Sequence, residues 1–179
     1  GILRNKINDF SGSLEDYNAA IKINPNDFRL YKSRANLKIR SKDLVGAIQD
    51  YNKALEINPT NIDTYYKRAN AKFKINNFYG AIEDYNKLIE VNPDDIKSYY
   101  NRGNLKLKTK DFEGAISDYN IVIKDNPSNM NAYQNRSIAK WKVGDQIGSC
   151  KDKKELISLG DINSLKWIKT LPGAWCDEI

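Results

Sequence analysis

An Asn-Pro pair recurs at Asn24-Pro25, Asn58-Pro59, Asn92-Pro93 and Asn126-Pro127, so that Pro25, Pro59, Pro93 and Pro127 are spaced 34 residues apart. A chain with a strict period of this length is a stack of small like units, each covering its apolar face with the next, and not one globular centre. Proline lacks a backbone N–H and its ring clashes with the preceding turn, so each pair closes a helix. The stretch before it repeats as well: Ala81 to Pro93 returns, lightly varied, almost from end to end.

Each unit reads as two helices. After each proline comes a residue whose side chain can accept a hydrogen bond from a free first-turn amide: Asp27, Asn61, Asp95 and Asn129. A first helix of about thirteen residues is expected to follow. A second cap then stands at Asp9, Asp43, Asn77, Asp111 and Asp145, each opening a second amphipathic helix that runs to the Asn-Pro pair. The expected organisation is a partial repeat at 1–27, full repeats at 28–61, 62–95 and 96–129, and a degenerate repeat at 130–163. A capping helix over about 162–170 and a tail at 172–179 complete it, with 1–171 forming a single solenoid. The opening residues begin inside a repeat, which suggests a piece of a longer protein.

Apolar and small residues recur at helical spacing. In the first helices Tyr31, Tyr65, Tyr99 and Tyr133 stand near the small Ala35, Ala69, Gly103 and Ser137. In the second helices the sets are Ala47, Ala81 and Ala115, then Tyr51, Tyr85 and Tyr119, then Ala54, Leu88 and Val122. Small residues let helix axes approach closely while the tyrosine rings fill the space beside them, so these aromatics are read as core.

The pattern of Tyr65, Ala69, Ala81, Tyr85, Leu88 and Pro93, repeated in register, resembles the tetratricopeptide repeat. The resemblance implies an all-α fold: a right-handed superhelical solenoid of antiparallel helix pairs, with first helices lining a concave groove and second helices facing outward. Two features depart from the commonest family pattern. Arg34, Arg68, Arg102 and Arg136 stand where Leu is usual, and Lys38, Lys72, Lys106 and Lys140 where an aromatic is usual. An arginine among packed helices needs a charged partner, and Asp16, Asp50, Asp84, Asp118 and Asp152 recur on the second helices. Arg and Asp ladders that bind the repeats together are the expectation. The last repeat breaks register: Lys153 replaces the core Tyr, Cys150 the usual Ile and Gly160 the Asn-Pro ending, and Leu165, Trp167 and Ile168 would cover the exposed end of the stack.

The chain has no His, which excludes His-based acid catalysis, Ser-His or Cys-His nucleophile pairs and His-bearing zinc sites. Asp and Glu sit at caps and on helix surfaces, with no Gly-rich phosphate loop, so neither an enzyme nor a cofactor is expected. The two cysteines, Cys150 and Cys176, are read as reduced thiols, Cys150 in the core and Cys176 exposed, which points to the cytoplasm. No apolar run is long enough to span a bilayer.

What remains is binding. A net charge of +6, spread over every repeat, mildly favours acidic partners. The first-helix surface is expected to present Arg29, Lys32 and Asn36; Tyr66, Lys67 and Asn70; Lys97, Tyr100, Asn101 and Asn104; Asn131, Gln134, Asn135 and Ile138. Asn36, Asn70 and Asn104 form a ladder whose amides can pair with the backbone of an extended peptide. Some family members hold the C-terminal carboxylate of an acidic peptide in a clamp of Lys, Asn and Arg, and the resemblance carries this onto Lys32, Asn36 and Lys97. Lys67 stands where that clamp has Asn, and Asn101 where it has a cation. The expected role is a protein-interaction scaffold for an extended acidic peptide or partner protein, with RNA binding along the superhelix as the alternative. The acidic tail from Trp175 to Ile179 is expected to dock in the groove of another copy and give weak self-association.

Overall fold

The computed structural model describes residues 10–164, 166 and 176, and among these it contains helices and turns without a strand. The helices are α1 (Phe10–Ile23), α2 (Phe28–Arg40), α3 (Leu44–Ile57), α4 (Ile62–Lys74), α5 (Phe78–Val91), α6 (Ile96–Lys108), α7 (Phe112–Asp125), α8 (Met130–Lys142) and α9 (Gln146–Ser158). The expected half-helix at 1–8 and Asp9, the expected cap of α1, lie outside the described residues. So do the side chains of Leu165, Trp167 and Ile168, although 162–164 are helical.

The chain divides into two compact units, Gly1–Asn92 and Pro93–Ile179. In the first, each helix from α1 to α5 packs on the one that follows it; in the second, α6 to α9 do the same, and α6 also touches α8. Because the connections are only three or four residues long, packed neighbours must run antiparallel. Ala35, Ala47, Tyr51 and Ala71 form a buried cluster in the first unit. In the second, Ala115, Tyr119, Val122, Tyr133 and Leu156 belong to another. Gly103 is a close-approach position: a Cβ there would stand 3.0 Å from the Tyr119 ring.

The second-helix caps act as expected: Asp43, Asn77, Asp111 and Asp145 accept from the amides of Gly46, Gly80, Gly114 and Gly148 at 2.8–3.0 Å. A side chain on Gly46 would run into the Asp43 carboxylate, which explains a helix-weakening residue in the first turn. Among the first helices, Asn61 and Asn129 cap the third residue beyond and Asp27 the second. Asp95 departs from expectation: it makes no cap to a backbone amide and instead accepts from the Ser98 hydroxyl at 2.6 Å. The hairpin turns use a left-handed residue at Lys42, Asn76, Lys110 and Gly144. For Asn and Gly this is an ordinary conformation, whereas for each lysine it costs about 1–2 kcal/mol.

The Arg and Asp ladders do pair. Arg34, Arg68, Arg102 and Arg136 each reach the aspartate sixteen residues on, with N–O distances of 2.5–2.6 Å. Lys38, Lys72, Lys106 and Lys140 meet the same carboxylates at 2.9–3.0 Å. The aspartates are almost fully buried. This pairing lies within one repeat; the link to the preceding repeat comes from Asn18, Asn52 and Asn120, whose side chains accept from Arg34, Arg68 and Arg136 at 2.6–2.8 Å. Each guanidinium also lies 5.3–5.7 Å from the centroid of the tyrosine three residues before it.

The cysteines overturn the sequence reading. Cys150 and Cys176 are joined in a disulfide, with Cα atoms 5.8 Å apart, and Cys176 is buried. Twenty-six residues separate them in sequence, but the chain returns to α9 and ties the tail there. This removes the argument from free thiols to the cytoplasm, since structural disulfides persist in oxidising compartments. The other tail residues lie outside the described set.

Two outcomes follow from this packing. Removing the charge of a buried aspartate leaves two cations unneutralised, so Asp84→Asn should cost about 3–5 kcal/mol and lower the melting temperature by on the order of 10 °C in a calorimetric scan. An unchanged melting temperature would show that the ladder carries no stability. Alkylation in denaturant without reductant should label neither Cys150 nor Cys176, and both after reduction; labelling before reduction would overturn the disulfide.

Candidate functional site

Within each unit the first helices carry the polar candidate side chains. In the first unit, Asn36 and Ile39 of α2 face Lys67, Asn70, Ala71 and Lys74 of α4 across a cavity of about 240 Å³ that also touches Tyr51 of α3. The Tyr51 hydroxyl donates to Asn36 Oδ1 at 2.8 Å, and the equivalent Tyr85 hydroxyl donates to Asn70 Oδ1 at 3.2 Å. Burial pushes the Tyr51 phenol far above its ordinary pKa, so it remains a donor. Each asparagine is thereby half used: its oxygen turns inward, and its amide nitrogen is the group left to donate.

In the second unit Tyr119 donates to Asn104 Oδ1 at 2.8 Å, and Asn135 Nδ2 donates to the same oxygen at 2.9 Å. Asn104 thus joins α6, α7 and α8. The Tyr100 ring meets Tyr119 edge-on at 6.3 Å, just as Tyr66 meets Tyr85 at 6.2 Å. Tyr66 keeps 38% of its surface exposed, while Tyr100 is half-buried.

The charged candidates divide into held and open groups. Arg29 is exposed but folds back on the cap Asp27, with Nη2 and Oδ2 2.8 Å apart. Lys32 of α2 and Lys67 of α4 share Asp63, at 3.1 and 3.3 Å. Burial works against the Asp63 charge, but the hydrogen bond from Lys32 and the charge of Lys67 outweigh it and hold the carboxyl below its ordinary pKa. Two ammonium groups against one carboxylate leave this patch positive. Lys97 and Asn131 are exposed and Asn101 is half-buried. Lys32 and Asn36 lie in the first unit and Lys97 in the second. Among the described residues no three of Cys, Asp and Glu come together as a metal site, and no helix is long and apolar enough to cross a membrane.

The Tyr-to-Asn bonds were not read from sequence. Their signal is the fixed spacing of fifteen residues between each Asn and its Tyr.

Known proteins share this fold. No curated protein sequence matches the chain significantly. Among solved structures, MamA superposes with a TM-score of 0.77 at 22% identity, over 97% of this chain and 92% of its own. YrrB, described as a TPR protein with an unusual peptide-binding site, gives a TM-score of 0.78 at 18% identity, over 94% and 88%. The first TPR of Spaghetti (RPAP3), bound to an HSP90 peptide, gives 0.58 at 24% identity, over 66% of this chain and 94% of that one. At these identities the likeness establishes the fold alone. A TPR repeat model matches residues 35–76 and 69–110, and a tetratricopeptide repeat model matches 96–129. Together these matches span more than half of the 179 residues, and the chain belongs to the tetratricopeptide repeat family.

Proposed function

We propose that this chain is a non-catalytic scaffold that binds an extended, acidic segment of a partner protein along its first-helix face, with residues 1–171 working as one solenoid. The observation that carries this reading is the pair Asn36 and Asn70, each with its oxygen engaged by a tyrosine and its amide nitrogen left beside one cavity. Donors spaced by the repeat suit the carbonyl row of an extended peptide. The surplus ammonium charge around Lys32, Lys67 and Lys74 favours acidic side chains on that peptide and steers its approach. Tyr66 adds amphipathic contact area. Lys97, Asn101, Asn104, Asn131 and Asn135 offer a similar polar face in the second unit. Two of the similar solved structures support peptide binding as a use of this fold, one described as having a peptide-binding site and one with an HSP90 peptide bound.

Alanine is a poor probe here, because it would strand the Tyr51 and Tyr85 hydroxyls without an acceptor. The double variant Asn36→Asp, Asn70→Asp keeps both acceptors, removes the donors and adds repulsion. Fluorescence anisotropy with a labelled peptide of alternating Glu and Ala should show affinity reduced by at least about tenfold, with an unchanged circular dichroism spectrum. Equal affinity would remove the asparagines from the site. Tight binding of random single-stranded RNA that falls steeply with salt would favour the nucleic-acid reading instead.

A further inference from the structure

Every position of the last repeat has counterparts in the earlier ones at intervals of 34 residues. Where the regular repeats place Tyr51, Tyr85 and Tyr119 in the core, α9 places Lys153; where they place Ala47, Ala81 and Ala115, it places Ser149. On α8, Ile138 takes the place of Asn36, Asn70 and Asn104, and Gln134 that of Tyr66 and Tyr100. All four departures line one cavity of about 170 Å³, together with Ser137, Trp141 and Lys142. The edge-on tyrosine pair of the earlier repeats becomes a hydrogen bond from Lys153 Nζ to Gln134 Oε1 at 2.7 Å.

The cavity is graded from mouth to floor. Ile138 and Trp141 are 39% and 37% exposed, and Lys142 is exposed beside them. Ser149 and Lys153 lie deep, at 1% and 6% exposure. The Ser149 hydroxyl is buried without a hydrogen-bond partner, a state that costs free energy wherever nothing fills it. Burial pushes the Lys153 ammonium below its ordinary pKa, and the carboxylates of Asp161 and Asp152 draw it partway back. Cys150, beside Ser149, is disulfide-bonded and anchors this part of α9.

An apolar mouth over a floor of hydroxyl, ammonium and amide calls for a short aliphatic stem ending in a carboxylate. The volume lies well below the roughly 300–1,000 Å³ of sites that take drug-sized ligands, so it suits a single side chain. We infer that the cavity between α8 and α9 is a subsite for an internal glutamate side chain of a bound partner peptide. The stem rests on Ile138 and Trp141, and the carboxylate accepts from Ser149 Oγ and Lys153 Nζ. Aspartate carries the charge on a shorter stem with less to rest on Ile138 and Trp141, and glutamine lacks the charge. This deepens the scaffold reading and rests on it, but it uses different residues in a different unit.

The test is nuclear magnetic resonance titration of the intact chain with an acetylated and amidated peptide carrying one central Glu among Ala and Ser, alongside its Gln and Asp versions. The Glu peptide should shift the Trp141 indole and Ser149 amide signals saturably, at least about tenfold more tightly than the Gln peptide. Ser149→Ala, which installs the residue of the regular repeats, should weaken it about threefold to tenfold. The double variant Lys153→Tyr, Ile138→Asn rebuilds the regular tyrosine–asparagine pair, so it should fold with at least the original melting temperature and lose the interaction. Equal shifts from the Glu and Gln peptides, indifference to both variants, no binding, or a response only when the peptide ends in a free carboxylate would each overturn the assignment. Shifts confined to Asn36, Lys67 and Asn70 would overturn it while leaving the scaffold reading intact. Loss of binding in the Asn36→Asp, Asn70→Asp variant tests that reading separately.

Discussion

A buried aspartate on each second helix from α3 onward, neutralised by an arginine and a lysine from the first helix of the same repeat, is the contact on which the rest of the architecture depends. Asp50, Asp84, Asp118 and Asp152 are no more than 4% exposed, and a carboxylate at that depth is tolerated only with its partners in place. The geometry fixes the angle of the hairpin. The guanidinium must lie flat against the carboxylate while its third nitrogen reaches the asparagine of the preceding repeat, as in Arg68 between Asp84 and Asn52. Lys72 closes the other side and also donates to Gly80 O at 3.1 Å, in the first turn of the second helix. A leucine and an aromatic at these positions would fill space; the charged pair also sets direction.

Holding the hairpin this way frees the opposite edge of each first helix. The tyrosine of the second helix passes behind it and delivers its hydroxyl to the asparagine, so one conserved geometry within the chain serves both core and surface. The ring fills the gap left by small residues such as Ala35 and Ala69, and the hydroxyl orients an amide toward the cavity. An asparagine restrained by such a bond loses less side-chain freedom on binding than a free one. Packing and recognition are thus the two ends of a single side-chain contact.

Much of this was legible in the sequence. The 34-residue period and the Asn-Pro stops gave the helix boundaries, and the need of Arg34 and its counterparts for a partner pointed to the aspartates. The asparagine ladder was read as fully available, whereas Asn36 gives its oxygen to Tyr51, because side-chain direction there depends on where Tyr51 ends, a tertiary matter. Asp95 stands at the cap position as read, but its carboxylate takes the Ser98 hydroxyl and no backbone amide. Cysteine spacing says nothing about a chain that folds back, so the bond from Cys150 to Cys176 was read as two thiols. Lysine is a poor marker of left-handed turns, which hid Lys42 and Lys110.

The last repeat shows how one register yields two kinds of surface. Its arginine, aspartate and lysine, Arg136, Asp152 and Lys140, keep the distances found elsewhere, so the hairpin is built as before. The positions that in other repeats join tyrosine to asparagine have both changed, to Lys153 and Ile138, and Gln134 and Ser149 beside them have changed as well. A lysine alone in place of a core tyrosine would leave an ammonium facing an apolar wall; with Gln134 opposite, its proton has an acceptor. Had Ile138 remained an asparagine, it would have faced Lys153 without the tyrosine hydroxyl that orients its counterparts. The concerted change preserves the frame and converts a filled core position into a polar floor under an apolar mouth, which is why the difference is better explained as a site than as erosion of the repeat.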